Sequence, residues 1–252
     1  MKKRVRWDYI LLGVAAACFG IFGHIYYSNI QLEEHADQIK DQIKEISDSK
    51  SSACAEDGQG QTTQYDSLFE WNEDMIAWLQ IPDTNIDYPV MFTPQDEEYY
   101  LYRDFFKNDD KNGTLFMDTD CSLQDERANL IIHGHHMKSG AMFGSLPEYM
   151  DETYAEKHPK IYLYTRDDTR VYEVMSVFNA KVYKGRTDKF KYYDNFRFDS
   201  QETFDEYYQN IKNMSMYDTG VTAVFGDEFI TLSTCAYHTN NGRFAVVGKR
   251  VE

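Results

Sequence analysis

Hydrophobic positions along this 252-residue chain change rhythm several times, and each rhythm predicts a different element. Residues 9–27 are largely apolar and carry no formal charge, close to the ~20 residues a helix needs to cross a bilayer. Lys2, Lys3, Arg4 and Arg6 precede them, which keeps the start of the chain cytoplasmic and leaves the bulk outside. Residues 31–46 are charged but set Ile39, Ile43 and Ile46 at helical spacing, which predicts a helical stalk or a weak self-association seam. Residues 47–64 are rich in Ser, Gly and Gln, lack apolar periodicity, and read as a flexible tether. Leu68, Trp71, Met75 and Trp78 share one helical face, so a helix is expected at the edge of the folded domain. The period then shortens to two, with strand-like runs at 86–92, 113–118, 128–133, 160–165, 170–182, 221–235 and 243–251. The run at 221–235 is expected to turn as a hairpin at Gly226-Asp227. Residues 201–213 interrupt the strands with Phe204, Tyr207, Tyr208 and Ile211 at i, i+3, i+4 and i+7, an inserted amphipathic helix. The expectation is a mainly β domain over 65–252, preceded by a basic tail (1–7), a transmembrane anchor (8–28) and a helical stalk with tether (29–64).

A composition of 42% hydrophobic and 15% aromatic residues is enough for one sizeable core. Net charge is -16; without the four basic residues at the start, 22 Lys and Arg face 42 Asp and Glu, a balance of -20. Nucleic acid and anionic lipid surfaces are therefore excluded as natural partners. The rival to an uncleaved anchor is a cleaved signal peptide, but the bulky segment Ile21-Phe22-Gly23-His24-Ile25-Tyr26 offers no small-x-small cleavage site. Cysteine placement argues against a disulfide framework, with Cys18 in the apolar span, Cys54 in the tether and Cys121 in a loop. The acidic group Asn108-Asp109-Asp110 with Asp118 and Asp120 lacks an EF-hand arrangement and reads as a solvated loop.

The chemistry concentrates near the C-terminus. In a strand over 229–235, Phe229, Thr231, Ser233 and Cys235 point one way and Ile230, Leu232 and Thr234 the other, which puts a thiol at a strand end. A seven-residue connection, 236–242, carries an Asn241-Gly242 turn signal before Arg243-Phe244-Ala245-Val246-Val247 resumes the apolar run. So short a connection implies an antiparallel pair that returns Arg243 beside Cys235. A thiol attacks as the thiolate and needs a positive neighbour. Arg243 cannot accept a proton, so its suitable work is stabilising negative charge and orienting a carbonyl. His135, with His133 and His136 close by, supplies an acid/base, and Ser233 and Thr234 are either substrate contacts or strand-packing hydroxyls. Zinc ligation by the three histidines lacks Asp, Glu or Cys partners at a recognisable spacing, so no metal and no cofactor is expected. His238, in the loop after Cys235, reads as groove-lining or solvated.

The pattern Thr231-Leu232-Ser233-Thr234-Cys235, then Arg243 after a short loop, with Gly134-His135 upstream, resembles a sortase, a cysteine transpeptidase of the Gram-positive cell wall. Trp78-Leu79-Gln80-Ile81-Pro82, Ile86-Asp87-Tyr88-Pro89-Val90, Tyr99-Tyr100-Leu101, Asp104-Phe105 and Gly113-Thr114-Leu115-Phe116-Met117-Asp118 are similar to the class B branch, over roughly 68–251. His133 departs from the pattern, because many relatives carry an aromatic residue before the Gly-His pair. The resemblance implies a closed barrel of about eight strands, with the inserted helix near a substrate groove. It also implies cleavage of a sorting-signal peptide after Thr and transfer of the protein to a peptidoglycan precursor or cross-bridge amine. The rival readings are a secreted cysteine hydrolase that uses water as acceptor and a non-catalytic surface-binding module.

Overall fold

The computed structural model describes residues 7–51, 65–183, 185, 187–236 and 241–252. The basic tail through Arg6, residues 52–64 of the expected tether with Cys54, and His238 lie outside the described residues.

Among the described residues eight strands close into a barrel in the order β1 (Met75–Gln80), β2 (Asp87–Met91), β3 (Leu115–Met117), β4 (Asn129–Gly134), β7 (Phe229–Ala236), β8 (Gly242–Arg250), β6 (Thr169–Lys181) and β5 (Lys160–Thr165). Neighbours run antiparallel except β2–β3 and β4–β7, which are parallel. Alternate residues point inward as a pleated strand requires: Leu79, Val90, Leu130, Ile132, Leu232 and Val246 belong to the buried interior. The barrel and the inserted helix expected from the sequence are both present.

The inserted helix α4 (Gln201–Met214), which follows the short helix α3 (Glu152–Lys157) in the chain, begins at a capping box, in which Ser200 and Thr203 each satisfy the other's backbone. It buries Phe204, Tyr207 and Ile211 against the outer face of β6 and Phe229 of β7. Phe229 and Thr231 thus lie under α4 while Ile230 and Leu232 fill the barrel, the two-faced reading of β7 made from its alternation.

Three local expectations are corrected. The helical stripe through Met75 and Trp78 ends early: α2 covers only Asp66–Trp71, and Met75 opens β1. Asn72 stops the helix, because its amide donates to Phe105 O at 2.7 Å and Tyr100 Oη at 3.0 Å and draws the chain away. The hairpin at Gly226 is a turn without a first strand. Gly226 has φ +109°, and Val221, Ala223 and Phe225 pack against the α4 cluster, but their backbone joins no ladder.

The third correction concerns the stalk. Residues 31–46 continue one helix, α1 (Trp7–Ser51), and their apolar face docks on the barrel itself rather than on a second copy. Ala36 and Ile43 are buried there, with Ile39 and Ile46 packed beside them. Polar contacts fix the dock: Asn112 Nδ2 donates to Leu32 O at 3.1 Å, Lys40 Nζ donates to Asn85 O at 3.2 Å, and Lys40 sits 4.0 Å over the Tyr88 ring. The upper part of α1 leaves Leu12, Phe19 and Phe22 exposed, and its length and composition suit a membrane anchor or a signal sequence.

Candidate active site

β7 is the centre of the site because of what flanks it. On one side the parallel ladder with β4 runs from Asn129↔Phe229 to Gly134↔Thr234, so His135 and Cys235 each lie one residue beyond its last pair, His135 just past β4 and Cys235 still within β7. On the other side the antiparallel ladder with β8 pairs Cys235 directly with Arg243. The return of Arg243 beside Cys235 is the arrangement expected from the short connection, and Asn241 takes φ +58° at the turn. Two strand registers therefore place His135, from a distant part of the chain, on one flank of the Cys235 strand end and Arg243 on the other.

Gly134 allows the close packing that directs His135. A Cβ there would come within 2.4 Å of Leu115 Cδ2 and 2.7 Å of Phe143 Cδ2, so only glycine lets the end of β4 lie flat on those side chains. Phe143 N–H then donates to His135 O at 3.0 Å and holds the exit.

Cys235 is a free, exposed thiol at the rim, while the preceding strand is buried. Ser233 and Thr234 are 1% and 2% exposed. Thr234 Oγ1 donates to Gly134 O at 2.7 Å, tying β7 to β4, and Ser233 Oγ shares a 2.7 Å hydrogen bond with Tyr192 Oη. Of the two readings offered for these hydroxyls, strand packing fits this geometry. Arg243 is half-buried, and Nη1 donates to Gly242 O at 3.1 Å. No carboxylate pairs with Arg243 among the described residues.

The sequence reading missed Tyr192. Burial pushes its hydroxyl up to about 12, against the pull of the Ser233 bond and the Arg243 charge, so the group stays protonated and neutral while bonded to Ser233, two residues before Cys235. The only signal was its place in Phe190-Lys191-Tyr192-Tyr193, a run with no usable period.

The three neighbouring histidines part company. His135 Nε2 lies 2.7 Å from Leu101 O, His136 Nδ1 lies 3.1 Å from the Cys235 carbonyl, and His133 Nε2 lies 3.2 Å from Asp118 Oδ2. They do not form one ligand set. His133 instead joins Glu97 and Asp118, with donor atoms within 4.8 Å of one another, a group whose chemistry could hold a divalent ion. Its present bonds already explain it: Glu97 accepts from Thr119 N and Oγ1, and Asp118 accepts from Asp120 N, so the group latches the end of β3 to β4. Cys121 is buried, with its thiol held up at about 12 chiefly by burial, and is no rival nucleophile.

The sortase domain model matches residues 79–251. The chain belongs to the sortase family. Sortase B of Listeria monocytogenes is 32% identical over 244 residues, 96% of this chain and 94% of that protein. Sortase B of Staphylococcus aureus is 28% identical over 193 residues, 75% of each. Among solved structures, a Staphylococcus aureus sortase B–substrate complex aligns with a TM-score of 0.72 at 25% identity, covering 86% of this chain and 97% of that one. Sortase B from Bacillus anthracis in complex with AAEK1 gives 0.69 at 30% identity, covering 90% and 98%. This sortase is thus a cysteine transpeptidase of the sortase B type, a cell-wall anchoring enzyme with an N-terminal hydrophobic helix.

Proposed function

We propose that this chain is an uncleaved, membrane-anchored sortase in which Cys235, His135 and Arg243 carry the reaction. The Cys235 thiolate attacks the carbonyl of a sorting-signal threonine, and the oxyanion that forms meets the Arg243 guanidinium. As the carbon–nitrogen bond breaks, protonated His135 gives its proton to the departing amine and leaves a thioester on Cys235. An amine of a peptidoglycan precursor or cross-bridge then loses a proton to His135, attacks the thioester and releases the thiolate. Atoms and charges balance without a cofactor.

The observation that carries this reading is the double register of β7, with Gly134↔Thr234 on one side and Cys235↔Arg243 on the other. The solved relative that holds its substrate supports a peptide in the corresponding groove. A peptide-library cleavage screen tests it, run with and without an added amine nucleophile. Cleavage after Thr with diversion of the product to the amine is expected. Cleavage whose product never incorporates the amine would make the enzyme a hydrolase.

Arg243→Lys is expected to lower kcat/KM by about 10²-fold, because lysine keeps the charge but loses the planar fork that can hold a carbonyl oxygen and a second acceptor together. Steady-state kinetics checks this, and near-normal turnover would reduce Arg243 to a general electrostatic role.

The anchor is tested by topology. The intact chain should fractionate with membranes, and protease outside protoplasts should digest the folded domain. A chain shortened to begin near Gln31 keeps the docked half of α1 and should be soluble and active on peptides. Mature protein in the medium with its N-terminus near Ile30 would contradict the anchor.

A further inference from the structure

The single turn of 3-10 helix at Tyr99–Tyr102 meets His135 with two groups. Leu101 O lies 2.7 Å from Nε2, and the Tyr102 ring lies 5.4 Å from the imidazole, centroid to centroid, tilted by 44°. Tyr102 is 60% exposed, so burial in the core does not explain where this large aromatic sits.

The turn is anchored from behind. Thr114 N–H donates to Tyr100 O at 2.9 Å, Asp110 N–H donates to Tyr102 O at 3.0 Å, and Arg103 Nη1 donates to Tyr99 O at 3.0 Å. Gly113, at φ +60°, clears the space: a Cβ there would lie 2.3 Å from Leu101 O, the oxygen that faces His135.

A backbone carbonyl accepts and never donates, so Nε2 must carry the hydrogen in this bond. Neutral imidazole has one N–H, which leaves Nδ1 with the lone pair. We infer that the Leu101 carbonyl holds His135 in its Nε2–H tautomer while the Tyr102 ring fixes the orientation of the imidazole, so that Nδ1 is the nitrogen that takes and gives the proton during acyl transfer. This rests on His135 being the proton carrier. Leu101 acts through its backbone and Tyr102 through its ring face, both as positioning residues. Every proton that leaves and returns passes through Nδ1, while the Nε2 hydrogen stays on the Leu101 carbonyl throughout.

Two measurements test the inference on the full chain in detergent micelles. In Cys235→Ala protein labelled with 15N-histidine, the His135 resonances, assigned by their loss in His135→Gln, should report the Nε2–H tautomer at a pH where the ring is neutral. With Cys235 present, Tyr102→Ala should lower kcat about tenfold through lost orientation while KM stays within about twofold, and Tyr102→Phe, which keeps the ring face, should restore kcat. The Nδ1–H tautomer at His135 would overturn the inference. So would a Tyr102→Ala effect confined to KM, or failure of Tyr102→Phe to restore kcat, since either would make the side chain a substrate contact or a phenol-dependent group. Full activity of His135→Ala would remove the proton-carrier reading instead, and the tautomer measurement separates that failure from this one.

Discussion

Cys235→Ala is expected to abolish both peptide cleavage and transfer, by about four orders of magnitude or more, while the barrel stays folded. The covalent thioester is the route to both products, and among the described residues no neighbouring group replaces it: Ser233 is buried against Tyr192, Thr234 is bonded to Gly134, and Cys121 is enclosed with its thiol raised by burial. Stability should hold because Cys235 is exposed and packs little, a situation in which substitutions usually change stability by less than about 0.5 kcal/mol. Peptide cleavage followed by chromatography, beside a thermal melt, checks both halves. Substantial cleavage by a folded Cys235→Ala protein would remove the proposed mechanism.

His135→Ala should be nearly as damaging, with a loss of about 10²–10⁴-fold expected for removal of a general acid and base. The neighbouring histidines provide the control. His133 faces Asp118, just past the end of β3, so His133→Ala should loosen that latch and cost little turnover. His136 bonds the Cys235 carbonyl, so His136→Ala should give a modest loss by letting the strand end move. Parallel kinetics of the three variants decides among them. If His133→Ala proves the inactive one, the proton carrier has been assigned to the wrong histidine.

Legibility in the sequence followed how local the cause of each feature was. The α4 helix was readable because its apolar period and its start lie within one short segment. Cys235 opposite Arg243 was readable because a short loop permits only an antiparallel return. β1 was misread because a helical stripe through Leu68 and Trp71 continues by chance into Met75 and Trp78. The stop comes from Asn72 bonding to Tyr100 and Phe105, residues whose proximity no local window reveals. Val221, Ala223 and Phe225 do alternate, but only one side of that segment found a partner, so it packs without joining the ladder. The isoleucines of α1 were legible as an apolar stripe but were read as a stalk or self-association seam, because the surface they cover lies on β2 and the segments flanking it, distant in sequence. Tyr192 was invisible for a related reason, since its role comes from the bond to Ser233 on β7, distant in sequence.

A covalent adduct on Cys235 is the central claim in its most direct form. Intact-mass and peptide-mapping spectrometry of the enzyme, quenched in acid during turnover of a Thr-containing sorting peptide, should show the added mass of the N-terminal acyl fragment on the peptide that bears Cys235. The adduct should disappear when an amine acceptor is added and be absent from Cys235→Ala. Product formation without any adduct on Cys235, or with the acyl group on a different residue, would contradict it.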